Sequence, residues 1–201
     1  RKFDAVVDRC ATALIDNEKV VLVGARRAWV PKVSAAIERA VAPVRRTREK
    51  LWSRWCHGEV DVSDRQALAR EYQAVDGPAI LVATMDSVQE SIDLHQTDRL
   101  VLAALPWTPG MLTQVRGRVH RLGGRKVRID CLVAEGTIDE AIEASLLSKV
   151  DAIEAAGAAT ESLGVARGAG KSDDEVLAEL HAWVAARAET IGRATADEEA
   201  A

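Results

Sequence analysis

The sequence predicts an α/β fold, a parallel sheet with helices on both faces, from three observations. Four short apolar runs recur along the chain, at Lys19-Val-Val-Leu-Val23, Ala79–Ala83, Leu100–Ala104 and Val127–Val133. Runs of that length without polar alternation suit strands buried on both sides. Segments with helical apolar spacing separate them, and strands alternating with helices call for crossovers that cover the faces of a sheet.

Taken in order, Lys2 to Ile15 reads as an amphipathic helix, and the run at 19–23 ends at Gly24 as a buried strand does. Pro31 opens a helix carrying Val33, Ile37 and Val41, stopped near Pro43. Arg45, Arg46, Arg48, Lys50 and Arg54 then crowd one stretch with Trp52 and Trp55 interleaved. That stretch reads as a solvated basic face with tryptophans beneath arginine stems. Ser63-Asp-Arg-Gln66 spells a capping box, and its helix runs to about Val75. Pro109 suits the first turn of a later helix with Thr108 as its N-cap. Thr137-Ile-Asp-Glu140 is another capping box, opening a helix to about Ala156. The chain is then rich in Gly, Ala and Ser to Lys171. A last helix starts at Ser172-Asp-Asp-Glu175 and carries Val176, Leu177, Leu180 and Trp183.

Composition narrows the function classes. In 201 residues, 48% hydrophobic and 29% charged side chains make an ordinary globular balance with ample core. No apolar run reaches the length of a membrane span, and no secretory signal opens the chain. The start at Arg1 rather than Met leaves open that the chain is a fragment. A net charge of −4 argues against a globally basic nucleic-acid coat, yet a second cluster, Arg116, Arg118, Arg121, Arg125, Lys126 and Arg128, supplies a local positive field. Cys10, Cys56 and Cys131 are odd in number and widely spaced, which points to a reduced compartment and to no zinc site. Gly168-Ala-Gly170-Lys171-Ser172 imitates the close of a phosphate loop, but the first glycine would fall at Val165 and no buried strand precedes it; it reads as a linker.

The most informative string is Gln114-Val-Arg-Gly117-Arg118-Val-His-Arg121 after Leu105-Pro-Trp107-Thr-Pro109-Gly. On a helix from Pro109, Met111, Val115, Val119 and Leu122 share an arc of roughly 80° at about 100° per residue. Gln114, Arg118 and Arg121 share a second arc of roughly 60° beside it. One face anchors the helix while an amide and two guanidiniums stand together at its margin. Arginine forks onto phosphate oxygens and keeps its charge, so a rigid pair suits a polyphosphate.

This string resembles motif VI of superfamily 2 helicases and translocases, and with its Trp-x-Pro lead-in it is most similar to the Swi/Snf-type branch, annealing helicases included. The resemblance runs from about Lys19 to Lys149. Ile80-Leu-Val-Ala-Thr84 resembles the opening of motif V and Asp93-Leu94 its end. Trp55-Cys-His57-Gly58, then Arg65-Gln66, resembles the segment with His-Gly or Asp-Gly before a helix. The chain departs from the family at Ser91, where motif V carries glycine, and at Gly117, where the Swi/Snf branch carries Asp.

The resemblance implies a RecA-like parallel sheet, the C-terminal lobe of a DNA-dependent ATPase, with a C-terminal helical extension. Residues 1–18 would be a leading helix or connection between lobes, 19–157 the lobe, 158–172 a flexible linker, and 173–201 a helix with a frayed tail. It implies Arg118 and Arg121 as catalytic arginines, and Gln114 and Asp93 beside them at ATP. It implies Thr84, His57, Gly58 and Trp107 as DNA contacts. ATP and Mg²⁺ would be held mainly by an N-terminal RecA-like lobe, in cis or in trans. The implied setting is cytoplasmic and DNA-associated, without a membrane, and the chain alone is expected to be inactive. The rival expectation is a nucleic-acid-binding or regulatory module without catalysis.

Overall fold

The computed structural model describes residues 1–43, 51–89, 92–120 and 126–149. Its centre is a sheet of five parallel strands: β1 (Lys19–Gly24), β2 (Trp52–Cys56), β3 (Ala79–Thr84), β4 (Arg99–Leu102) and β5 (Arg128–Cys131). They lie in the order β2-β3-β1-β4-β5. The helices are α1 (Lys2–Ile15), α2 (Val30–Val41), α3 (Val62–Ala74), α4 (Met85–Gln89), α5 (Pro109–Val119) and α6 over residues 138–149. A single 3-10 turn, Arg27–Trp29, leads into α2.

Strand composition explains strand position. β1, β3 and β4 are buried at every residue, as apolar runs covered on both faces must be. Their side chains alternate between two cores. Val21, Val23, Leu81, Leu100 and Leu102 pack with Ala69, Tyr72, Val88, Val115 and Val119 from α3, α4 and α5. Val20, Leu22, Ile80, Val82 and Val101 pack with Val6, Cys10, Val33 and Ile37 from α1 and α2. Each Val or Leu so buried contributes roughly 1.5–3 kcal/mol.

The edges are polar. β5 is Arg-Ile-Asp-Cys, and β2 is Trp-Ser-Arg-Trp-Cys with its middle exposed. Charges on edge strands discourage pairing with another chain. β2 lies in the stretch the sequence marks as a solvated basic face, which is corrected here to an edge strand from Trp52 onward. One part of that reading holds within the strand, because the Arg54 guanidinium lies 5.7 Å from the Trp52 ring centre. Residues 45–50 lie outside the described residues.

Two polar anchors pin the amino ends of the strands. Arg99, 5% exposed, donates to both Glu18 oxygens at 2.6 and 3.2 Å and to Asp130 at 2.7 Å. Hydrogen bonds to Glu18 foremost, against the cost of burial, raise its pKa above the ordinary arginine value. Lys19 donates to the carbonyls of Tyr72 and Gln73 at 3.1 and 3.0 Å, which closes the last turn of α3.

Helix boundaries follow local chemistry with one shift. α3 begins at Val62 with Asp61 at its N-cap, so Ser63 lies inside the first turn and its expected capping box is absent. Asp61 stands at the N-cap without a side-chain capping bond, and its carbonyl accepts the first helical bond from Arg65 N–H at 2.9 Å. At α6 Thr137 does cap, accepting from Asp139 N–H at 3.3 Å. The carboxylate reaching back, to Ala134 N–H at 3.1 Å, belongs to Asp139 rather than Glu140. The expected linker and last helix lie outside the described residues.

The chain divides into one compact unit of Arg1–Pro106 with Gly110–Val133, which holds the sheet, and a second of Trp107–Pro109 with Ala134–Ala201. Within the sheet, β1 leads through α2 toward β2, whereas β4 leads through α5 toward β5 on the other face. The chain thus reverses direction between neighbouring strands β1 and β4. In open α/β sheets, ligands bind at the carboxyl ends of strands beside such a reversal.

Candidate functional site

The carboxyl edge of the sheet is built by strand register. Gly24 pairs with Thr84 and Cys56 with Ala83, so His57, one residue on, comes level with Thr84 and Gly24. Two of the positions marked from the sequence, His57 and Thr84, therefore share one row with Gly24 at the ligand edge. A Cβ on Gly24 would come within 2.4 Å of the Trp29 ring, so glycine lets the β1–α2 loop fold its indole over the strand end. Arg27 in that loop forms an ion pair with Glu59 beyond β2, joining the two loops.

Ser87 is the hub beneath the row. The Thr84 hydroxyl donates to Ser87 Oγ at 3.2 Å, and Ser87 Oγ donates back to the Thr84 carbonyl at 2.8 Å. The Cys56 thiol donates to the same oxygen at 3.7 Å, and Arg65 on α3 donates to the Ser87 carbonyl at 3.4 Å. Burial, only partly offset by that bond to Ser87, pushes the Cys56 thiol pKa up and keeps it neutral. Thr84 is 5% exposed, so its hydroxyl braces the strand end from within. Sequence reading passed over Ser87. Its signal was a Thr-x-x-Ser pattern where a buried strand turns into a helix.

His57 lies partly buried with its ring stacked on Trp55, at 5.8 Å between centres and 24° between planes. Gly58 is exposed, and a Cβ there would approach nothing nearer than Asp86 at 3.9 Å. Trp107 is 41% exposed in the second unit.

The second group of marked residues centres on α5. Val115 and Val119 are buried against the sheet, with Met111 and Leu112 packed beside them, as the apolar stripe requires. Gln114 is exposed and Arg118 half-buried, one turn apart. α5 ends at Val119, where His120 N–H still bonds the Arg116 carbonyl at 2.8 Å. Arg121 lies outside the described residues, as do Leu122 and Ser91.

Tertiary structure brings Asp93 to this helix. Leu94 N–H donates to the Arg118 carbonyl at 2.9 Å, so the segment after α4 is tied to the carboxyl end of α5. Gln73 on α3 donates to the Asp93 carbonyl at 2.8 Å, and the Asp93 carboxylate pairs with His95 Nδ1 at 3.1 Å. A small cleft of about 200 Å³ beside Asp93 is lined by Gln66, Ala69, Arg70, Gln73 and Ile92. The donors present, an amide and a guanidinium a turn apart on a packed helix, fit phosphate oxygens.

The family model described as the helicase conserved C-terminal domain matches residues 5–123, more than half of the chain. The chain belongs to the helicase C-terminal domain family. The SWI/SNF-related matrix-associated actin-dependent regulator of chromatin subfamily A-like protein 1 of Xenopus tropicalis is 33% identical to it over 101 residues. The mouse DNA annealing helicase and endonuclease ZRANB3 is 29% identical over 93 residues. These matches cover 50% and 46% of this chain but only 11% and 9% of those relatives, so the chain spans a small part of either. The crystal structure of the C-terminal part of the Fun30 ATPase domain superposes with a TM-score of 0.55 at 20% identity, covering 71% of this chain and 44% of that one. The RecA-like fold of this helicase C-terminal domain thus stands as the sequence foresaw. Among the described residues, no helix is long and apolar enough to cross a membrane.

Proposed function

We propose that this helicase C-terminal domain is the second lobe of an ATP-dependent DNA translocase, completing an ATP site whose main part belongs to an N-terminal lobe. The observation that carries the reading is α5: a helix fixed by Val115 and Val119, with Gln114 and Arg118 at its margin and its end tied to Leu94. Arg118, with Arg121, would place guanidinium charge against the transferring γ-phosphoryl group, where charge spreads over equatorial oxygens. Gln114 would hydrogen-bond the nucleotide, and Asp93 would line the same side. Mg²⁺, held mainly by the other lobe, neutralises phosphate charge when bound.

DNA would lie along the carboxyl edge at His57, Gly58 and Thr84, held by its backbone and not read by sequence, and Trp107 would be a DNA contact of the second unit by itself. Because Leu94 N–H is bound to the Arg118 carbonyl, Asp93 and the arginine helix would move as one piece. The relatives' names, one of them an annealing helicase acting on DNA, support DNA as the polymer. The proposed setting is intracellular and DNA-associated. On this reading the chain alone is inactive.

The test is DNA-stimulated ATP hydrolysis by the full-length protein carrying this chain, wild type against Arg118→Ala. The stimulated rate is expected to fall by roughly 10³-fold or more with ATP binding largely kept. A wild type that binds DNA without stimulated hydrolysis would replace this reading with a binding module.

A further inference from the structure

We propose that Trp55 and His57 form a stacking platform for an unpaired base of the bound strand at the carboxyl end of β2. The inference rests on the nucleic-acid reading above and adds to it a contact with a base, where that reading has backbone contacts alone.

Strand alternation places Trp52, Arg54 and Cys56 on one face of β2 and Ser53, Trp55 and His57 on the other. The two tryptophans have different fates. Trp52 packs into the core beside Tyr72, 5.7 Å between ring centres. Trp55 is left 42% exposed, although indoles are ordinarily covered in a folded chain. On the face it lies on, Ser53 meets α2, its hydroxyl 3.2 Å from that of Ser34. Trp55 stands two residues beyond, about 6.6 Å nearer the ligand edge.

The ring pair is organised by stacking. His57 lies nearly parallel to the indole, and its Nδ1 makes no hydrogen bond within the protein, so no polar partner at that atom sets the ring's orientation. A parallel pair offers a flat π surface suited to a third planar group, and every nucleobase presents one.

The surroundings suit a nucleotide better than an apolar protein surface. Ser53 and Gly58 flank Trp55 along the chain, Glu59 is paired with Arg27, and exposed Arg26 follows β1 at the same edge, while Arg54 lies on the other face over Trp52. Cations beside a stacking ring are what a single strand requires, with phosphates outside and bases turned in. Register puts His57 level with Thr84, so a strand whose backbone follows the row has a base within reach of the indole.

The experiment measures equilibrium binding of the full-length protein to three labelled probes: an oligothymidine strand, the same strand with abasic sites, and a duplex. The platform predicts that wild type prefers the base-bearing strand to the abasic one. Trp55→Ala is expected to weaken oligothymidine binding by about 5- to 150-fold, the range for loss of one stacked base, while leaving abasic and duplex binding unchanged. Trp55→Phe, which keeps a flat ring, recovers most of the loss. Equal wild-type affinity for the base-bearing and abasic strands overturns the platform while leaving the nucleic-acid reading intact. So does an equal loss on all probes in Trp55→Ala, the mark of a structural defect. Absence of wild-type binding to any probe overturns both.

Discussion

Arg118 is half-buried and Arg99 buried, and their places in the fold differ. Arg99 faces Glu18 and Asp130 inside the fold, with Arg128 and Arg9 approaching the same carboxylates. Arg118 lies at the margin of α5 beside exposed Gln114. Removing Arg99 would leave two largely buried carboxylates with only the more exposed Arg128 and Arg9 as partners. Arg99→Met is therefore expected to lower stability by about 1–3 kcal/mol, seen as a drop in the urea midpoint at unchanged slope. A midpoint that stays put would mean the carboxylates are rehydrated at little cost. Arg118 was legible because its signal is local, a spacing on one helix. Asp93's place beside it followed only from the family resemblance and not from local spacing, since it depends on the 2.9 Å Leu94–Arg118 bond between residues 24 positions apart. Thr84 was legible as the end of a strand, but not as a hydroxyl turned inward to Ser87.

At the scale of elements, two glycines make opposite predictions. Gly24 closes β1 under the Trp29 ring, and an added Cβ would stand 2.4 Å from it. Gly24→Ala is expected to cost about 1–3 kcal/mol as overpacking. Gly117 stands in the interior of α5 with nothing within 4 Å of an added Cβ. Gly117→Ala is expected to raise stability by up to about 1 kcal/mol, because alanine loses less backbone entropy in a helix. Thermal melts of the two variants decide both, and a Gly24→Ala melt equal to wild type would show that the indole moves aside freely. β2 escaped the sequence because a partly exposed edge strand needs no apolar run, and Trp-Ser-Arg-Trp-Cys shows no clean alternation. The start of α3 was misplaced because Asp61 and Ser63 are both competent caps, and sequence alone does not rank them.

For the molecule as a whole, buried weak acids set its tolerance of base. Burial pushes the Cys10 thiol up to about 12, against an ordinary value near 9.0. Above that ordinary value the unfolded chain loses the proton while the folded chain keeps it, so the unfolded state is favoured as pH rises. Below pH 9 this group contributes no pH dependence. Cys56 and Tyr72, both raised chiefly by burial, act in the same direction. Stability is expected to fall from about pH 9 toward pH 12, with Cys10 contributing up to about 1.4 kcal/mol per pH unit. Urea melts of wild type and Cys10→Ala across that window measure it. A Cys10→Ala slope no shallower than wild type would place the titration elsewhere.

By itself the sequence determined what depends on neighbours along the chain: the apolar runs of β1, β3 and β4, the helices that alternate with them, and the arginine helix with its stripe. These follow from periodicity, which a single chain displays directly. Only the tertiary structure decided the strand order, the row formed by Gly24, His57 and Thr84, the Ser87 hub beneath it and the bond from Leu94 to Arg118. Each of those joins residues from separate elements, and their meeting is set by register and crossover, which composition and spacing do not encode.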